Sequence, residues 1–205
     1  MLVINFTILL ILVTVLFINV YKERIMLGWH RLIIKSSLQL RFIFFLTIET
    51  IVFFRVFWSY FYFPIVDSWP PIGITKCDYL SLPLLNTVLL LRSAISLTGF
   101  HSDVRLRYLL IITIILGAIF MVIQYIEYST HLSFRLSDGI YGRVFYTLTG
   151  FHGSHVFVGL VILTISLTIG RVLVLSYSFV ILLSIWYWHF VDVIWVFLFI
   201  FIYAY

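Results

Sequence analysis

Of 205 residues, 63% are hydrophobic and 10% charged, with a formal net charge of +5. So little polar surface excludes a water-soluble globule of this size and makes lipid the solvent for most of the chain. The positive charges form no stripe on a soluble face, which argues against nucleic acid as a partner. The single cysteine, Cys77, excludes an intramolecular disulfide, a cysteine zinc site or an iron–sulfur cluster built from this chain alone.

Six apolar stretches are long enough to cross a hydrocarbon core of about 30 Å as helices: 2–20, 38–63, 79–98, 107–128, 140–169 and 172–204. The expected fold is an all-α polytopic bundle, one transmembrane domain over 1–205, with 38–204 forming a five-helix bundle. The first stretch has no basic residue ahead of it and no small-residue cleavage site behind it, so it reads as a retained span. Lys22-Glu23-Arg24 through His30-Arg31 follows, mixing both signs of charge with Trp29; solvation or head-group contact suits it. Glu49 lies about the middle of the second stretch, between Phe45 and Phe53-Phe54, where a carboxyl is either a proton carrier or a structural acid bonded to a neighbouring helix. Arg55 is rotated from it by about 240° and is expected to meet another helix or snorkel.

Pro64, Pro70, Pro71 and Gly73 mark the next loop, and Pro83 falls in the first turn of the third stretch, where a missing amide is tolerated. The last two stretches exceed the minimum span and are expected to tilt or project. Lys22, Arg24, Arg31, Lys35 and Arg41 cluster near the first connection, Arg92, Arg105 and Arg107 near the third, and Arg171 at the fifth. The opposite side has Lys76, Arg135 and Arg143. The positive-inside rule then puts both termini on the outer side.

The histidines invite a haem or copper reading, which needs imidazoles converging from facing helices at one depth. Here His30 and His101 fall at inner boundaries, His131 in an outer loop, and His152 and His155 three apart on one helix. The pattern argues against a metal or haem in this chain. Gly150, Gly153, Ser154 and Gly159 instead form a small-residue stripe suited to close helix packing, with His152 and His155 bonding across it. In the run Trp186 to Trp195, His189 and Asp192 share a helical face and are expected to satisfy each other. Glu127 joins these four as a structural intramembrane polar group.

Glu23, Gly28 and His30 are followed in order by Glu49 with Phe57-Trp58, Trp69-Pro70-Pro71-x-Gly73-Ile74, Leu82-Pro83-Leu84-Leu85-Asn86-Thr87, Glu127-Tyr128, Ser137 to Gly142, Thr149 to Val156, and Trp186 to Val193. Together, in this order, they resemble subunit III of cytochrome c oxidase. Glu23, Gly28 and His30 are similar to that family's Glu and Gly-x-His segment, and Glu49 to its buried carboxylate. The resemblance implies a non-catalytic core subunit of a proton-translocating oxidase in the mitochondrial inner membrane, beside catalytic subunit I and subunit II, which carry the haem and copper. It implies bound phospholipid, with Glu23, His30 and Glu49 lining a lipid cleft and supporting proton uptake.

Tyr62 and Gln39 depart from the family's usual histidine and arginine, a polar loop before Trp186 is missing, and the first span aligns with the family's second helix. An accessory chain or lipid is therefore expected in place of the family's first. The alternatives are subunit III of a quinol-oxidising haem–copper oxidase and, from another class, a haem-binding membrane anchor of a dehydrogenase.

Overall fold

A computed structural model describes residues 32–62, 79–103, 105–131, 134–137, 139–172 and 177–204. These form five helices: α1 (Leu32–Tyr62), α2 (Leu82–Ser102), α3 (Arg107–Ile126), α4 (Gly139–Val172) and α5 (Tyr177–Leu198). The last turns after α3 and α5 widen into π-helix, at Glu127–His131 and Phe199–Ala204. No strand occurs among the described residues, in keeping with the all-α expectation.

The expected number of spans is corrected. Among the described residues four helices are long and apolar enough to cross a membrane, Leu82–Ser102, Arg107–Thr130, Gly139–Thr168 and Val180–Ala204. The expected span 2–20 lies outside the described residues. Residues 38–62 of the expected span 38–63 are helical within α1, which is not one of the four.

Two compact units divide the chain, Met1–Ile43 and Phe44–Tyr205. The described part of the first is the opening of α1. In the second, close backbone packing joins α2 to α3, α3 to α4, α4 to α5 and α5 back to α2, which closes a four-helix ring. From Phe44 onward α1 meets α4 and α5 through aromatic side chains. Phe53, Phe57 and Tyr60 make a buried stripe at helical spacing, meeting Phe151, Phe201 and Tyr141. Its other faces, with Phe44, Ile48, Phe54 and Trp58, are exposed and suited to lipid.

Local chemistry explains the helix ends. Pro83 opens α2 in its first turn, as its missing amide permits. After Ser102 the Asp103 amide closes back on the Gly99 carbonyl at 3.3 Å, and the Asp103 side chain accepts from the Arg105 amide at 2.9 Å. Gly139 starts α4 with φ at +71°, a left-handed conformation that a Cβ would strain. At 34 residues, α4 is roughly 50 Å long and exceeds the hydrocarbon core.

Trp188 is the hub of the ring. It is fully buried, its indole N–H donates to Ser93 Oγ at 2.9 Å, and Gly117 and Gly159 let α3 and α4 approach its ring. Polar pairs tie the helices elsewhere: Ser96 with Thr113 at 2.7 Å, Ser166 with Ser184 at 2.8 Å, and Tyr128 donating to Thr149 at 2.6 Å. With no water in the hydrocarbon, such pairs and tight small-residue packing hold helices together where the hydrophobic effect does not.

Candidate functional site

The structure brings together two residues that the sequence left apart. Glu49 on α1 and His155 on α4 meet with His155 Nε2 3.2 Å from Glu49 Oε2. His155 Nδ1 lies 2.9 Å from the Phe151 carbonyl one turn earlier. A carbonyl only accepts, so Nδ1 carries the hydrogen, and the tautomer is fixed by the helix backbone. Phe53, Phe151 and Phe190 surround the imidazole, and Tyr187 stacks on it at 6.3 Å between ring centres. The side chains keep little exposure, 10% for His155 and 21% for Glu49. An ionisable pair in an aromatic box between two apolar helices, α1 and α4, is costly to build, which marks it as a functional candidate.

His152 plays a different part. Its Nε2 donates to the Val191 carbonyl at 3.2 Å, and its ring lies against Phe120 and Trp195. It is fully enclosed and bridges α4 to α5, a structural role. The small-residue stripe divides in the same way. Gly159 packs on Trp188, whereas a Cβ at Gly150 or Gly153 would meet nothing within 4 Å. Those two glycines line an open groove of about 320 Å³ together with Gln124, Tyr128, Thr149 and Phe157.

The expected mutual satisfaction of His189 and Asp192 is looser than their spacing suggests. Nδ1 and Oδ2 stand 4.0 Å apart, beyond hydrogen-bond reach, and neither Asp192 oxygen has a hydrogen-bond partner. The His189 side chain is 37% exposed and turned outward, while that of Asp192 is 7% exposed. Glu127 is buried at the end of a polar chain in which Asn86 donates to Gln124 at 3.3 Å and Gln124 donates to Glu127 at 3.2 Å. Arg55 and Arg92 are exposed. Glu23 and His30 lie outside the described residues. Among the described residues no three histidine, cysteine or carboxylate side chains gather to hold a metal.

Comparison with known proteins decides what bundle this is. The family model for cytochrome c oxidase subunit III matches residues 1–205. The chain belongs to the cytochrome c oxidase subunit III family. Proteins named cytochrome c oxidase subunit 3 are similar to it: 40% identity over 163 residues in Yarrowia lipolytica, covering 74% of this chain and 60% of that one. In Pongo pygmaeus the identity is 37% over 162 residues, with 73% and 62% covered, and in Candida parapsilosis 36% over 191 residues, with 84% and 69% covered. The matched stretch thus spans about 60% of the length of several curated subunit III relatives. The ordered motifs carried the same family in the sequence. The Glu49–His155 contact was not read there, although the two residues sit at similar distances from the ends of 38–63 and 140–169 that face the same side. That shared depth was the available signal.

Proposed function

We propose that this chain is the non-catalytic subunit III of a respiratory cytochrome c oxidase in the mitochondrial inner membrane. It packs beside subunit I and subunit II, which carry the haem and copper chemistry, and both its termini face the intermembrane space. Glu23, His30 and Glu49 border bound phospholipid, and Glu49 supports proton uptake during oxygen reduction. The observation that carries this reading is the Glu49 carboxyl inside the bundle, partnered by His155 and still partly exposed on the face of α1. The exposed apolar faces of α1 to α4 suit lipid and neighbouring subunits.

The test is Glu49→Gln in the purified complex. The expected result is intact assembly with slower steady-state turnover or a shorter working lifetime. Unchanged turnover, proton pumping and lifetime would reduce Glu49 to a structural acid. The names of the relatives favour cytochrome c over a quinol as the electron donor. Oxidation of reduced cytochrome c by the purified assembly separates the two.

A further inference from the structure

We propose that Glu49 and His155 hold a single proton between them and pass it from one to the other without presenting net charge to the membrane. The proposal deepens the reading of Glu49 as a proton-supply group and rests on it. The Phe151 carbonyl commits His155 Nδ1 to carry a hydrogen. A neutral ring then offers only a lone pair at Nε2, and the 3.2 Å contact with Glu49 Oε2 requires an O–H on the glutamic acid. The other favourable state is imidazolium donating to carboxylate.

The two states differ by one transfer, from Glu49 Oε2 to His155 Nε2, and each sums to zero charge. A carboxylate facing the bare lone pair is repulsive, and an imidazolium beside a neutral acid leaves an unpaired charge in an apolar box that offers it no solvation. Among the described residues His155 is the only basic group in ion-pair contact with Glu49. The other titratable groups on the packed elements have separate positions. His152, three residues earlier on α4, is committed to the Val191 carbonyl; Tyr187 of α5 stacks on the imidazole; His189 of α5 is partly exposed, 4.0 Å from Asp192; Arg55 is exposed on α1. His155 is therefore a positioning residue that decides where the Glu49 proton resides.

Infrared difference spectroscopy on the purified oxidase complex tests this, with the Glu49 carboxyl band identified by its loss in Glu49→Gln. In His155→Phe the protonated-carboxyl C=O stretch of Glu49 should move to higher frequency, or appear where the native protein has only the carboxylate. An identical Glu49 band in the native complex and His155→Phe overturns the proposal. If His155→Phe does not assemble, His155→Gln keeps a hydrogen-bonding group but cannot take the proton. It should fix a protonated Glu49 band and slow turnover as Glu49→Gln does, and native bands there overturn the proposal equally. A shifted band together with unchanged turnover and lifetime in Glu49→Gln would keep the shared proton and remove its role in proton supply.

Discussion

Replacing Gly117 with alanine adds one methyl group where a Cβ would stand 2.5 Å from Trp188 Cη2 and 2.8 Å from Leu160 Cδ2. Ordinary carbon contacts lie at about 3.5–4.0 Å, so the overlap is about an ångström. The indole has no easy retreat. Its N–H is held by Ser93 at 2.9 Å, and the far edge of the ring lies against Gly159, where a Cβ would come within 3.0 Å. Overpacking of this kind costs about 1–3 kcal/mol, and the better helix preference of alanine returns about 0.5–1 kcal/mol. The net loss runs from near zero to about 2.5 kcal/mol and centres on about 1 kcal/mol, a factor of about 5 in the folded-to-unfolded ratio. Gly150→Ala is the control, since its Cβ meets nothing within 4 Å and only the helix preference remains. Retention of this chain in the purified complex during a detergent or heat titration should fall for Gly117→Ala and hold for Gly150→Ala. Equal midpoints for Gly117→Ala and Gly150→Ala, in which helix preference cancels, would refute the reasoning, because they would show that Trp188 is not pinned between α3 and α4.

Three more outcomes are expected. Gly139→Ala, at φ +71°, should lower the thermal midpoint by the equivalent of about 1–2 kcal/mol, whereas a substitution at the exposed Ile140 should not. Tyr128→Phe removes the 2.6 Å bond to Thr149 and should cost about 0.6 kcal/mol in a chemical denaturation series, the average for such bonds between membrane helices. His152→Leu should weaken the α4–α5 contact yet leave the haem spectrum and haem content of the assembled complex unchanged, as measured by pyridine-haemochrome absorbance.

Class and family were legible in the sequence because apolar length and ordered motifs are properties of the chain itself. Which face of each helix points inward was not. In lipid both faces can be apolar, so the outward side of α1, with Ile48 and Phe54, reads much like its buried stripe of Phe53 and Phe57. The three-residue spacing of His189 and Asp192 placed them on one face correctly. The 4.0 Å gap depends on side-chain direction, which spacing does not report. The glycine stripe split for the same reason: Gly159 has Trp188 opposite it and Gly153 faces open space, a difference made entirely by α5. The Glu49–His155 contact needs two helices far apart in sequence to meet at one depth and one azimuth, and depth alone was readable.

The pairing of α2 with α3 bears on how the chain enters the bilayer. The Asn86 amide would be poorly accommodated if α2 left the translocation machinery alone, and that of Gln124 would be so on α3, whereas Ser93, Ser96 and Thr113 can each donate to a carbonyl of their own helix. Asn86 bonds to Gln124, Ser96 bonds to Thr113, and the Thr113 hydroxyl also reaches the Ser93 carbonyl at 3.5 Å. Where the two helices connect, the Leu106 amide donates to the Asp103 carbonyl at 3.0 Å and the Arg105 amide to the Asp103 carboxylate at 2.9 Å. Insertion as a preformed hairpin therefore exposes fewer unpaired polar groups to lipid than insertion one helix at a time. A ribosome stalled after α2 should leave that helix loosely held, and one stalled after α3 should leave both anchored.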